Sequence, residues 1–170
     1  MSVGDTSFHF SPSGLPDAAD LEDATKLRLK EWKIVRGVTL PYCAGYSNKS
    51  RIMYVDEAVP ETWTDTTGRV LKVVEGSLFW HESLEWDLMQ GYPDEHYAGA
   101  HTCATYIENA YVMSKGINAN EYEKNLWGPI IAACAKRASY PRVPRDLDLR
   151  PYLQSDDAKL IDKMVFVSVK

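Results

Sequence analysis

Leu78-Phe79-Trp80-His81-Glu82-Ser83-Leu84-Glu85-Trp86-Asp87-Leu88-Met89 is the stretch from which the chain is best read. At about 100° per residue, Leu78, Leu84, Leu88 and Met89 trace an apolar arc of a helix. His81 and Glu85, one turn apart, fall inside that arc and not on its wet side. An unpaired buried carboxylate is strongly disfavoured, so a helix that turns one inward needs a partner, a metal ion or a proton for it.

Gly91-Tyr92-Pro93 stops this helix, and a second helical pattern follows from about Asp94 to Ser114. Ala100, Ala104, Ile107, Tyr111 and Val112 lie along one side of it, and His101 and Glu108, two turns apart, share that side. Two helices joined by a short loop would each bring one imidazole and one carboxylate to a common seam. His81, Glu85, His101 and Glu108 are therefore the candidate metal ligands, with Glu108 either binding directly or supporting one of the histidines. Tyr97 and Tyr111 fall on the same side as His101, where a phenol could hold a ligand or stabilise an oxyanion. His96, in the first turn of its helix, reads as a surface residue.

Around this pair, 170 residues with 45% apolar side chains suit one domain with one sizeable core. The net charge of −5 argues against a protein that grips nucleic acid through clustered Lys and Arg. Cys43, Cys103 and Cys134 are odd in number, widely spaced and without a CxxC, which suits reduced packing thiols in a cytoplasm. No signal-peptide pattern or long apolar run is present, so no membrane association is expected.

Residues 1–16, with Gly4, Pro12, Gly14 and Pro16, read as a flexible lead-in to a single domain over 17–170. A helix is expected from Asp17 or Asp20 to about Val35, stopped by Gly37. Leu40 to Ser50 reads as a loop with a short extended piece. Arg51 to Asp56 is rich in strand formers, Thr62 to Gly68 is turn chemistry, and Val70 to Val74 either pairs as a strand or starts the central helix early. A third helical region, about Asn120 to Ser139, is interrupted at Gly128-Pro129. Tyr140 to Pro151 reads as an extended strap, and Met164 to Val169 as a further candidate strand. The fold class that follows is α+β: three or four helices on a small sheet containing Ile52 to Val55, with Met164 to Val169 as a candidate further strand of that sheet, and the His81 and His101 helices antiparallel or steeply crossed.

His81-Glu82-x-x-Glu85 resembles the HExxH helix of the zincin metallopeptidases, with glutamate in place of the second histidine. The resemblance implies zinc, or another divalent transition metal, bound by His81 and Glu85, with His101 as the third ligand from the following helix. It implies Glu82 as the general base of a hydrolase acting on a peptide or related amide, and a zincin-like arrangement of the two helices. It also casts Ile52 to Asp56 as the edge strand that would align an extended substrate. The alternatives are a non-enzymatic interaction protein, stabilised by a metal or by the His/Glu network alone, and a Glu82 that is merely solvated. A di-iron carboxylate site fits poorly, because Leu78 and Ala98 stand where its ExxH pairs would need glutamates.

Overall fold

In the computed structural model, which describes residues 18–91, 96–137, 141–155 and 157–169, helices and small sheets alternate along the chain. The order begins α1 (Ala18–Leu29), β1 (Lys33–Val38), β2 (Ala44–Tyr46), β3 (Ile52–Asp56), β4 (Thr62–Thr64) and β5 (Val70–Lys72). It continues with α2 (Leu78–Gly91), α3 (Tyr97–Ser114), α4 (Ala119–Tyr122), α5 (Gly128–Arg137), β6 (Arg142–Pro144), α6 (Arg150–Leu153) and β7 (Val165–Val167). The α+β expectation holds. The lead-in expected at residues 1–16 lies outside the described residues.

The main sheet has the order β1-β3-β2, with β1 parallel and β2 antiparallel to β3. Alternation along β3 sends Met53 and Val55 to one face and Tyr54 to the other, and all three are buried. The first face packs with Ala44 and Tyr46 against α2 and α3, in a cluster with Phe79, Trp80, Tyr111 and Tyr122. The second face carries Val35, Val38 and Tyr54 against Val143, Leu147, Tyr152 and Met164 from the C-terminal part of the chain. A strand covered on both faces is apolar throughout, which is why Ile52 to Val55 shows no polar alternation.

Three expectations are corrected. The first helix stops at Leu29, and Lys33–Val38 is a strand. The spacing of Trp32 and Val35 suits a helix, but the chain here is β-branched, and its backbone groups are satisfied by parallel pairing with β3. Next, β3 is the central strand, and the short β2, inside the expected loop, is an edge. Third, Gly128-Pro129 does not interrupt the last helical region: a π-turn over Glu123–Trp127 joins α4 to α5, with Gly128 N–H bonded to Glu123 O. In such a turn each N–H reaches back five residues, so the helix absorbs proline's missing donor near a point where bonding is already irregular.

Val70 to Val74 takes both of its expected forms. Val70–Lys72 pairs with Thr62–Thr64 as a hairpin, and a π-turn over Val73–Ser77 leads directly into α2. The buried Asp65 sets that hairpin's bend by accepting from Thr67 N and Arg69 N at 2.9 and 2.7 Å. β7 pairs with β6 in a separate two-stranded sheet and does not join β3. Among the described residues, no helix is long and apolar enough to cross a membrane.

Candidate metal centre

α2 is buried nearly all round: Leu78, Phe79, Trp80, His81, Glu82, Ser83, Glu85 and Met89 are all inside. A helix covered on every side is the core element of its domain. The π-turn that leads into it approaches α3 closely at Gly76, where a Cβ would stand 2.7 Å from the Tyr111 hydroxyl oxygen and 2.8 and 2.9 Å from two ring carbons. Contacts between the two helices run in opposite directions along the chain, His81 meeting Glu108 and Glu85 meeting His101, so the pair is antiparallel.

Three donor atoms converge from this pair. His81 Nε2 lies 3.1 Å from His101 Nδ1 and 3.4 Å from Glu85 Oε2, and His101 Nδ1 lies 3.0 Å from Glu85 Oε2. They form a compact triangle suited to one cation. Glu108 stands outside it, on the opposite edge of the His81 ring: Nδ1 of His81 lies 2.8 Å from Glu108 Oε2. Tyr122 donates to Glu108 Oε1 at 2.5 Å, and its hydroxyl lies 2.8 Å from Ser77 Oγ. With the Nδ1 proton given to Glu108, Nε2 of His81 faces the triangle, where its lone pair is free once the second ring proton has left.

The charges of the cluster are strongly coupled. Burial opposes a charged His81, but the hydrogen bonds to Glu108 and Glu85, with the charges of Glu108 and Glu82, hold its proton affinity well above the usual histidine value. Burial also acts to raise Glu85, but the bonds and charges of His101 and His81 bring it below the usual carboxylate value. Glu82 is not a solvated surface glutamate: it is 7% exposed, and its carboxylate makes no hydrogen bond to the other described residues. Burial, then the charge of Glu85, with Glu108 adding and His81 opposing, pushes its carboxyl up to about 8.

Two cavities meet at this wall. One, of about 330 Å³, lies between α2, the β2 edge, α3 and α6, and is bounded by Tyr46, Tyr97, Leu147 and Tyr152. The other, of about 390 Å³, lies toward Thr105, Asn109, Asn120 and Trp127. His81, Glu82 and His101 line both, together with Tyr42 and Ile131. The Tyr42 ring stacks on Tyr152 at 4.5 Å, and Arg150 locks α6 in place by bonding to Asp148 and to Met89 O at the end of α2. Among the described residues, no lysine or arginine lines either cavity.

Of the two tyrosines singled out by their spacing, Tyr97 is at the site, its hydroxyl 3.3 Å from His101 Nδ1. Tyr111 instead packs over Gly76 and under the Lys115 ammonium. His96 is exposed and caps α3 by accepting from Ala98 N. Sequence reasoning missed Tyr46 and Tyr122. Tyr122 sits on an ordinary apolar helical stripe, so its pattern carries no sign of the hydroxyl's role. Tyr46 is 1% exposed, and its buried hydroxyl makes no hydrogen bond of full geometry among the described residues, with the Glu85 carboxylate as its nearest acceptor. Burial first, then the charges of Glu85 and Glu82, raises its proton affinity and keeps it an O–H donor. The chain matches no protein-family model, no curated protein and no solved structure.

Proposed function

We propose that the chain is a zincin-like, metal-dependent hydrolase of peptide or related amide bonds, with zinc or another divalent transition metal held by His81, Glu85 and His101. The observation that carries this reading is the donor triangle on a cavity wall that also carries Glu82. Nitrogen and oxygen ligands at about 2.0–2.2 Å from a tetrahedral zinc ion stand roughly 3.3 Å apart. The triangle's edges of 3.0, 3.1 and 3.4 Å fit that spacing. The antiparallel helix pair, with the His81-Glu82-x-x-Glu85 segment on one member and His101 on the other, supports the zincin-like arrangement.

When bound, the ion supplies a Lewis acid and lowers the pKa of water toward about 7. The chain's own residues do the rest. Glu108, held by Tyr122, orients His81 through Nδ1 and keeps Nε2 available. Glu82, whose affinity for a proton lies near neutrality, takes the proton of the attacking water and returns it to the leaving amine. Tyr97 donates to the oxyanion that develops at the substrate carbonyl. The edge nearest the site is β2: Cys43 O and Ser47 N bond toward β3, and Tyr46 O already accepts from Asp148 N, so the outward backbone of Ala44, which lines the cavity, is the part that would align an extended substrate.

One observation favours a second reading, a non-enzymatic interaction protein: the chain His81, Glu108, Tyr122 and Ser77 already joins α2, α3 and α4 without a metal. The deciding experiment compares wild type with Glu82→Gln, both metal-loaded by elemental analysis, on a mixed peptide library. Cleavage by wild type alone is expected. Equal cleavage by both removes Glu82 as the base, and cleavage by neither favours the interaction protein.

A further inference from the structure

Cys43 lines the first cavity although it is only 2% exposed. Its backbone is left-handed, with φ 71°, and among the described residues it alone is so placed without being glycine. A side chain there crowds the following carbonyl, and such outliers persist where the surroundings enforce them. The Cys43 sulfur lies 2.9 Å from that of Cys134 on α5, which is equally buried. That separation is within about 1 Å of a disulfide bond length. Cys134 lines neither cavity, and Cys103 is exposed on α3. The three thiols therefore differ in kind: one reached through the cavity, one behind it, and one open to solvent.

We propose that Cys43 and Cys134 form a disulfide site, oxidised by hydrogen peroxide that enters through the cavity, and that the bond fastens α5 to the β2 side of the cavity wall. The Cys43 thiolate attacks one peroxide oxygen; an S–O bond forms, the O–O bond breaks, and hydroxide leaves and takes up a proton as water. The Cys134 sulfur then attacks Cys43; the S–S bond forms, the S–O bond breaks, and the second water leaves with the Cys134 proton. Two thiols are oxidised and one peroxide is reduced to two waters. No metal takes part, so the site stands apart from the hydrolase reading.

The test treats the full chain with equimolar peroxide, then alkylates it in denaturant and maps its peptides without reduction. The expected product carries one alkyl group, on Cys103, and a crosslinked peptide joining Cys43 to Cys134. Three alkyl groups, a link through Cys103, or Cys43 carried to sulfinic acid without a link would overturn the proposal. In Cys134→Ser, Cys43 should stop at sulfenic acid and take up dimedone; in Cys43→Ser, Cys134 should stay alkylatable. Dimedone labelling of Cys134 in Cys43→Ser would show that the cavity is not the route. The wild-type peptide map decides the proposal even if a variant fails to fold.

Discussion

Replacing Glu82 by glutamine should make the chelator-treated protein more stable at neutral pH, although Glu82 is the residue proposed to do the chemistry. Its carboxyl is buried and raised from 4.5 to about 8. Between those two values the folded state holds a proton that the unfolded state has released, so stability falls as pH rises, by about 1.4 kcal/mol per unit. At pH 7 the accumulated cost is about 3 kcal/mol. Glutamine is close in shape to the neutral acid and does not titrate, so the variant escapes that cost. Below about pH 4 the two proteins should be nearly equal, and the gap should pass about 0.8 kcal/mol at pH 5 and open steadily toward pH 7. His81 and Glu85 act in other windows. The raised His81 contributes stability below about 6.5 that is lost as pH rises through its folded value; the depressed Glu85 contributes above about 4.5 and is lost as pH falls through its own. Both are present in each protein, but the charge of Glu82 is one of the causes that raise His81, so the difference between the two reports Glu82 together with its pull on His81. Urea unfolding followed by tryptophan fluorescence should place the variant's midpoint at pH 7 about 1 to 2 M higher, for a denaturant slope of roughly 2 kcal/mol/M. A gap that does not change with pH, or a variant less stable at pH 7, would refute the burial argument.

Zinc affinity should rise with pH beyond the ordinary histidine range, by up to about tenfold per unit, because a proton competes for His81 Nε2 and the folded protein holds that proton unusually well. Competition with a chromophoric chelator between about pH 6 and 8 measures it, and a plateau reached at pH 6 would contradict it. Glu108→Gln should weaken zinc binding by about 10- to 100-fold while leaving the protein folded, since it loosens His81 without removing a donor from the triangle; unchanged affinity would deny Glu108 that role. Gly76→Ala should destabilise by about 1–3 kcal/mol through the clash with the Tyr111 ring, with Tyr111→Leu in the same chain recovering part of the loss on thermal melting.

The helix pair was legible because helical spacing is local: His81 with Glu85, and His101 with Glu108, share faces whatever the rest of the chain does. Which donors face one another was not. Glu108 turns to the far nitrogen of His81 because of where α3 crosses α2, a distance that no periodicity encodes. Glu82 stood at the edge of an apolar arc, and its burial follows from the first part of α2, Leu78 to Ser83, being covered all round by distant segments. β3 announced itself by its residues, but its place between β1 and β2 depends on long-range pairing, so edge and centre could not be told apart. Trp32, just before β1, and Val35 within it are three residues apart, a helical spacing that in the strand sends them to opposite faces, so the tertiary partner overrode the local period.

The π-turn over Val73–Ser77 acts as a phase shifter. Leu78 N–H reaches back to Val73 O, five residues away, so the turn holds one residue more than an α-turn would. That extra residue lets Leu71, Val73 and Val74 enter the core while His81, Glu82 and Glu85 still face the cavities. Removing it, for instance at the exposed Glu75, would restore an ordinary helix and swing the β4–β5 hairpin by about 100° relative to the donor triangle. The offset between the hairpin and the site is therefore written into the count of residues in this segment, where a single-codon deletion acts as a rotation.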